Sequence, residues 1–230
     1  MFDRLEKIVD KEKLSNLKNK RIMIVGIGGV GGYVVESLVR SGISNFILID
    51  KDIVDITNKN RQIIALDSTI GKDKVNVVKD RILDINKECT VESLNIFLDK
   101  SNTDTIITKY KPDYVIDACD TITTKLEIIR SCLNNNINFI TCLGTGNKLD
   151  PSKLLISDIK KTHTDPLAKS LRKMLKNENI IGKIDALWST EIPVKTNSRI
   201  PGSSSFVPSS AGILIGSYIF NKLINNDIIK

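Results

Sequence analysis

The stretch VGIGGVGGYVVESLVRSG, from Val25 to Gly42, crowds five glycines into the turn between an apolar, β-branched run and a helix-period segment. Glycine accepts a positive φ and lets the backbone come close to a phosphate. The N-terminus of the next helix adds partial positive charge. A strand, a glycine turn and a helix in this order open a nucleotide-binding α/β unit. The candidate contacts are Gly26, Gly28, Gly29 and Gly31. The pattern itself does not choose among a nicotinamide cofactor, a methyl donor and ATP.

The rest of the chain keeps the same rhythm as far as Leu143. Apolar runs recur at 21–27, 45–50, 90–97, 113–118 and 137–143, with helix-period segments at 30–41, 72–86 and 121–135 between them. Short apolar strands alternating with helices predict an α/β, Rossmann-like fold, a mostly parallel sheet with helices on both faces. Of the 230 residues, 41% are hydrophobic, enough for one large core. Beyond Leu143 the rhythm breaks. Residues 153–158 read as another strand, and 164–176 as a helix opened by Asp165 and Pro166. The Ser, Pro and Gly-rich stretch 199–210 reads as a mobile loop leading into an apolar C-terminal helix. We expect one domain over 1–230, with a nucleotide-binding core over 1–145 and a substrate-facing segment with the C-terminal helix over 146–230.

The residues after the second strand narrow the choice of nucleotide. Asp50 ends that strand about 20 residues after the glycines, where an acid hydrogen-bonds a ribose hydroxyl. Asp52 pairs with it, and Asn58, Arg61 and Gln62 come soon after. An oxidoreductase needs no guanidinium beside its pyrophosphate here. An enzyme that attacks the α-phosphate of ATP does, because charge must be offset as pyrophosphate departs. Lys74 supplies a second cation, and Asp120, in DACDT at the end of the fourth strand, is a carboxylate fit to hold Mg²⁺. Each has a plainer reading: surface charges for Arg61 and Lys74, a cap for the helix after Thr121 in the case of Asp120. A non-catalytic nucleotide-binding scaffold would carry the glycines without this set.

GIGGVGG, LIDKDIVDITNKNRQ, GKDKV and DACDT together resemble the adenylating domain of the ubiquitin-activating superfamily. That superfamily includes the bacterial activators of molybdopterin and thiamine sulfur-carrier proteins. The resemblance implies carboxylate activation, with ATP and a carboxylate giving an acyl-adenylate and pyrophosphate. It assigns the phosphates to Gly29 and its neighbours, Asn58, Arg61 and Lys74, the ribose to Asp50 and the metal to Asp120. It also implies a homodimer in which an arginine near the N-terminus, here Arg4, reaches into the partner's site. The stretches SDIKKTHTDPLAKSLRKML, LWSTEIPV and SSSFVPSSAGILIGSYIF are similar to one branch, the dehydratases of threonylcarbamoyladenosine in tRNA. That branch implies adenylation of the threonyl carboxylate and closure of a five-membered ring by a nucleophile of the same side chain. It calls for ATP and Mg²⁺, with a monovalent cation as a further candidate, and for tRNA as partner. Adenylation of the C-terminal Gly-Gly of a sulfur-carrier protein is the alternative.

The four cysteines, at 89, 119, 132 and 142, form no C-x-x-C pair. No zinc site is expected, unlike many carrier-protein activators. In some dehydratases a cysteine precedes the phenylalanine–serine–threonine–glutamate segment. Here that stretch is ALWSTE, with Ala186 and Trp188, so no role of that thiol carries over. The net charge of +7 is concentrated between residues 145 and 185, where nine Lys/Arg face five acids. Lys160, Lys161, Lys169, Arg172 and Lys173 are therefore candidate tRNA contacts, with a solvated helix face as the competing reading. The lone His163 is a candidate base or a structural histidine. The longest apolar run, 211–224, is too short for a membrane span, so no stable membrane insertion and a cytoplasmic protein are expected.

Overall fold

The computed structural model describes residues 1–198 and 200–225. In chain order the elements are α1 (Lys11–Leu17), β1 (Arg21–Val25), α2 (Gly31–Val39), β2 (Asn45–Ile49), α3 (Lys74–Ile85), β3 (Thr90–Leu94) and α4 (Thr103–Tyr110). They continue with β4 (Tyr114–Asp117), α5 (Ile122–Asn134), β5 (Asn138–Cys142), β6 (Leu154–Asp158), α6 (Pro166–Asn177), β7 (Asp185–Ser189) and α7 (Phe206–Ile224). The strands form one sheet in the order β3-β2-β1-β4-β5-β7-β6. All neighbours are parallel except β6, which runs antiparallel to β7.

Strands β1, β2, β4 and β5 are buried on both faces, which is why they are continuous apolar runs rather than alternating ones. One core cluster, with Leu38, Ile43 and Ile215, lies between the sheet and α2, α3 and α7. The other, with Ile107, Ile129 and Leu171, lies on the opposite face under α4, α5 and α6. The chain passes from β1 outward to β2 and β3, then returns to place β4 on the other side of β1. That reversal opens a crevice at the carboxyl ends of β1 and β4, the place where such sheets bind ligands.

Three elements were not legible in the sequence. Helix α4 buries only Thr103 and Ile107, so its periodicity is faint. Helix α1 likewise buries only Leu14 and Leu17. Strand β7, DALWS, carries only three apolar residues in a row, and it is buried because Leu187 packs into one core cluster and Ala186 and Trp188 into the other. The segment after residue 145 adds two strands, β7 and β6, to one edge of the sheet. The mobile-loop reading of 199–210 is corrected in part. Arg199 lies outside the described residues, and Phe206–Ser210 already belong to α7. Pro208 is tolerated there because it occupies the first turn, where the missing N–H has no partner within the helix.

Helix α7 packs along α2 with its glycines inward. A Cβ at Gly212 would stand 2.4 Å from the Val30 carbonyl oxygen, and one at Gly216 would stand 2.0 Å from Ser37 Oγ. This close crossing brings the start of α7 over the glycine turn. Among the described residues, no helix is long and apolar enough to cross a membrane.

Candidate active site

A cavity of about 340 Å³ opens at the crevice. One wall is the turn after β1. Gly26 has φ +89, and a Cβ there would lie 2.7 Å from the Ala118 carbonyl oxygen and the Cys119 nitrogen. Only glycine lets this turn pass so close to the end of β4. Gly28 and Gly29 face the cavity. Gly31 does not. It is buried, and a Cβ on it would fall 1.9 Å from the Gly26 carbonyl oxygen, so its place is in packing the first turn of α2 rather than in ligand contact.

Asp50 ties the glycine turn to the exit of β2. Its Oδ2 accepts the Ile27 amide at 2.6 Å and its Oδ1 the Asp52 amide at 2.9 Å. Asp52 is partnered by Lys74, whose Nζ lies 3.0 Å from Oδ2. Lys74 is no surface charge: it is 5% exposed at the start of α3 and lines the cavity. Between them the chain makes a tight turn. Asn58 is buried, and its Oδ1 accepts the Asp55 amide at 3.2 Å. Arg61 Nη1 donates to the Thr57 carbonyl at 2.9 Å and to Asn60 Oδ1 at 2.8 Å, which aims the guanidinium from its own turn. Gln62 is buried in the cavity wall, and its Oε1 has no hydrogen-bond partner.

Asp120 stands exposed at the end of β4, with Thr121 Oγ1 3.3 Å from its Oδ1. The N-cap of α5 is Thr121, so Asp120 is free of the capping role. The opposite wall comes from residues that sequence reasoning missed. Thr145 comes after β5, and Ser203 and Pro208 arrive from the end of the chain. Asn60 Nδ2 donates to the Ser203 carbonyl at 2.9 Å, and the Gly202 amide donates to Asn147 Oδ1 at 2.6 Å. These bonds tether 202–203 to both walls, so that part of the expected mobile loop is anchored.

Beneath the floor lies a polar cluster. Lys125 Nζ is 3.1 Å from Asp117 Oδ1, with both side chains fully buried, and donates to the Cys142 carbonyl at 2.7 Å. Thr141 Oγ1 donates to Asp117 Oδ2 at 2.6 Å. Burial alone would lower the Lys125 pKa, but the adjoining Asp117 carboxylate turns the net shift upward and keeps the ammonium charged. The signal in the sequence was a lysine standing in the apolar stripe with Ile129 and Cys132. Cys119 lines the cavity, yet burial first and the Asp117 charge second push its thiol pKa far up. It is no thiolate nucleophile.

Arg4 is exposed near the N-terminus and does not line the cavity of its own chain. His163 is also outside the cavity, with its ring edge-on to Trp188 at a centroid distance of 4.6 Å. The basic segment is not one uniform face. Lys160 and Lys161 come directly after Ile159, whose amide bonds to the Ile184 carbonyl just before β7, at the sheet edge away from the cavity. Arg172 Nη1 donates to the Thr162 carbonyl at 2.9 Å and to the Thr162 hydroxyl, so it holds protein backbone. Lys148, counted in the basic excess, is buried against Asp165 and unavailable to RNA. Lys160, Lys161, Lys169 and Lys173 are exposed.

The model of the ThiF family matches residues 2–180. The chain is 40% identical over 246 aligned residues to the tRNA threonylcarbamoyladenosine dehydratase of Bacillus subtilis, covering 100% of this chain and 96% of that one. It is 39% identical over 197 residues to the protein of the same name from Haemophilus influenzae, covering 83% of this chain and 75% of that one. Its fold is similar to the crystal structure of E. coli tRNA N6-threonylcarbamoyladenosine dehydratase in complex with ATP. The TM-score is 0.93 and the identity 34%, with 98% of this chain and 94% of the other covered.

Proposed function

The chain belongs to the ThiF family, and we propose that it is an ATP-dependent tRNA threonylcarbamoyladenosine dehydratase. The observation that carries this reading is a single cavity with two kinds of wall. The glycine turn, Asp50, Arg61, Lys74 and Asp120 gather on the nucleotide side, and Thr145, Ser203 and Pro208 face them. The likeness to dehydratases of that name over the whole chain, and to one with ATP bound, supports it.

In this reading the phosphates of ATP lie over Gly28 and Gly29 at the positive end of α2, and Asp50 meets the ribose. Asp52, Asn58 and Gln62 complete the nucleotide wall. A threonyl carboxylate oxygen attacks the α-phosphorus and pyrophosphate leaves, with Arg61 and Lys74 offsetting the charge that builds up. A nucleophile of the same side chain then attacks the acyl carbon and closes the ring. AMP departs with the carboxylate oxygen, so the nucleoside is lighter by one water. Both reacting groups sit on one side chain, so positioning suffices and no enzyme nucleophile is needed. The raised Cys119 thiol pKa agrees with that.

The donor set fits Mg²⁺. Among the described residues no group of three or more His, Cys, Asp or Glu side chains forms a protein-only cage. Mg²⁺ typically takes one or two carboxylates and the rest from phosphates and water. Asp120 would hold it, and the ion would supply further neutralisation of the phosphate oxygens. We also propose that the enzyme is a cytoplasmic homodimer, with Arg4 serving a partner's cavity, and that Lys160, Lys161, Lys169 and Lys173 meet the tRNA backbone.

The test compares pyrophosphate release from ATP with tRNA bearing threonylcarbamoyladenosine and with unmodified tRNA, together with the mass of the modified nucleoside. Turnover confined to modified tRNA, with one water lost, is expected. Turnover only with a carrier protein ending in Gly-Gly would overturn the reading.

A further inference from the structure

The turn after β5 is gripped by two buried ammonium groups. Lys125, from α5, donates to the Cys142 carbonyl at 2.7 Å. Lys148 donates to the Gly144 carbonyl at 2.6 Å. Each is matched by a carboxylate from a different element. Asp117 ends β4 and lies 3.1 Å from Lys125, and Asp165 caps α6 and lies 3.2 Å from Lys148. Main-chain carbonyls held in this way have little freedom, because a buried charge that loses a partner is costly.

The Lys125 pair joins the two walls of the cavity. Asp117 stands three residues before Asp120, the nucleotide-side carboxylate, and Cys142 stands three residues before Thr145, on the facing wall. Strands β4 and β5 are already paired along their length, Asp117 opposite Thr141. Thr141 Oγ1 donates to Asp117 Oδ2, so the same carboxylate takes a bond from each side of the join. Above this point ladder pairing between the two strands ends, and the two chains diverge into the loops that make the site. The Lys125 ammonium sits where they part.

We propose that Lys125 is a positioning residue that, through Asp117 and the Cys142 carbonyl, fixes Asp120 and Thr145 at a set separation across the cavity. The inference rests on the ATP-dependent reading of that cavity. Adenylation demands that the carboxylate oxygen be brought in line with the α-phosphorus, and small misplacements far from the chemistry lower the rate steeply. Lys125 touches neither substrate. It sets the distance between the groups that do.

The test uses the full chain. Lys125→Met alone strands the Asp117 charge and is liable to unfold. The informative variant is Lys125→Met with Asp117→Asn, which removes both charges, keeps an acceptor for Thr141 and abolishes the bond to Cys142. Three quantities are read on folded protein well below its Tm: Kd for ATP by direct binding, kcat for pyrophosphate release, and amide hydrogen exchange. We expect ATP affinity within about threefold of the parent and kcat lowered roughly 10- to 100-fold. Exchange should accelerate at 118–121 and 143–146 and not elsewhere. An unchanged kcat in the folded double variant overturns the proposal. So does exchange that is unchanged at those two segments, or accelerated evenly over the whole sheet, which is the mark of a merely structural pair. If the parent protein releases no pyrophosphate from ATP, the dehydratase reading fails, and the exchange at the two segments alone decides whether Lys125 holds them.

Discussion

Lys74 Nζ lies 3.0 Å from Asp52 Oδ2, with the lysine side chain 7% exposed and the carboxylate 54% exposed. The cation is locked into the cavity wall while its counter-ion remains open to solvent. A phosphate entering over the glycine turn meets a fixed ammonium whose present partner is free to be exchanged. Replacing Lys74 by Met should weaken ATP binding by about 1.5–3 kcal/mol, the usual worth of a hydrogen bond to a charged group. Calorimetric titration with ATP checks this. Asp52→Asn should cost less, since it leaves the cation in place.

Arg61 and Asp120 reach the cavity from turns, and neither lies in a core cluster. Arg61→Ala and Asp120→Ala should each abolish pyrophosphate release while leaving Tm within about 2–4 °C of the parent, the shift that 1 kcal/mol produces in a chain of this size. Normal pyrophosphate release by both variants would remove these residues from the site.

Arg4 does not line the cavity of its own chain. If it serves a partner, Arg4→Ala and Asp120→Ala should each be nearly inactive alone, and their mixture should regain up to about a quarter of parental activity through dimers carrying one intact site. Mixing titrations measure this, and a flat result would confine Arg4 to its own surface.

Gly212 has the Val30 carbonyl oxygen 2.4 Å from where a Cβ would be. That oxygen is backbone and cannot swing aside, so Gly212→Ala should push α7 off α2 and cost about 1–3 kcal/mol, as overpacking does. Urea midpoints report the loss. ATP affinity should fall with it, since Pro208, at the start of α7, packs beside Gly29 in the cavity wall.

Glu36 joins α2 to α3 through Arg81, with Nε to Oε2 at 2.7 Å, and also accepts from Arg40 Nε at 2.7 Å. Burial would raise its pKa, but the hydrogen bonds and charges of Arg81 and Arg40 outweigh it and hold the carboxyl below its ordinary value of 4.5. A depressed folded pKa contributes stability that is fully present above 4.5 and lost as pH falls through the lower folded value. Thermal unfolding of Glu36→Gln should therefore show a lower Tm at neutral pH and a shallower fall on acidification below about pH 5.

The local chemistry of the nucleotide wall was legible in the sequence because it is carried by short, contiguous turns. Gly26–Gly29, Asp50–Asp52 and Asn58–Gln62 each come after a strand end, and strand ends on one side of a parallel sheet converge by topology alone. Strands β1, β2, β4 and β5 announced themselves through unbroken apolar runs, since burial on both faces leaves no polar alternation. The structure places Gly31 in the packing behind the glycine turn and Arg172 on the Thr162 backbone, positions the sequence did not show, for a common reason. Type and spacing are visible in a sequence, but whether a residue points to solvent or to a neighbour depends on the elements packed against it. Lys148 and Arg172 carry the same charge as Lys169, yet one is buried on Asp165 and the other holds Thr162.

The sequence by itself determined the strand–helix alternation from β1 to β5 apart from α4, the phosphate-binding turn and the cations beside it, since each rests on periodicity or on residues within one turn of each other. Only the tertiary structure decided the facing wall and the floor. Thr145 and Ser203 are 58 positions apart and share one wall of the cavity, and the Lys125 side chain reaches from α5 to the Cys142 carbonyl, a bond no local pattern announces. Contacts between distant segments depend on how the sheet is ordered and how α7 folds back on α2, and that order is fixed by burial summed over the whole chain.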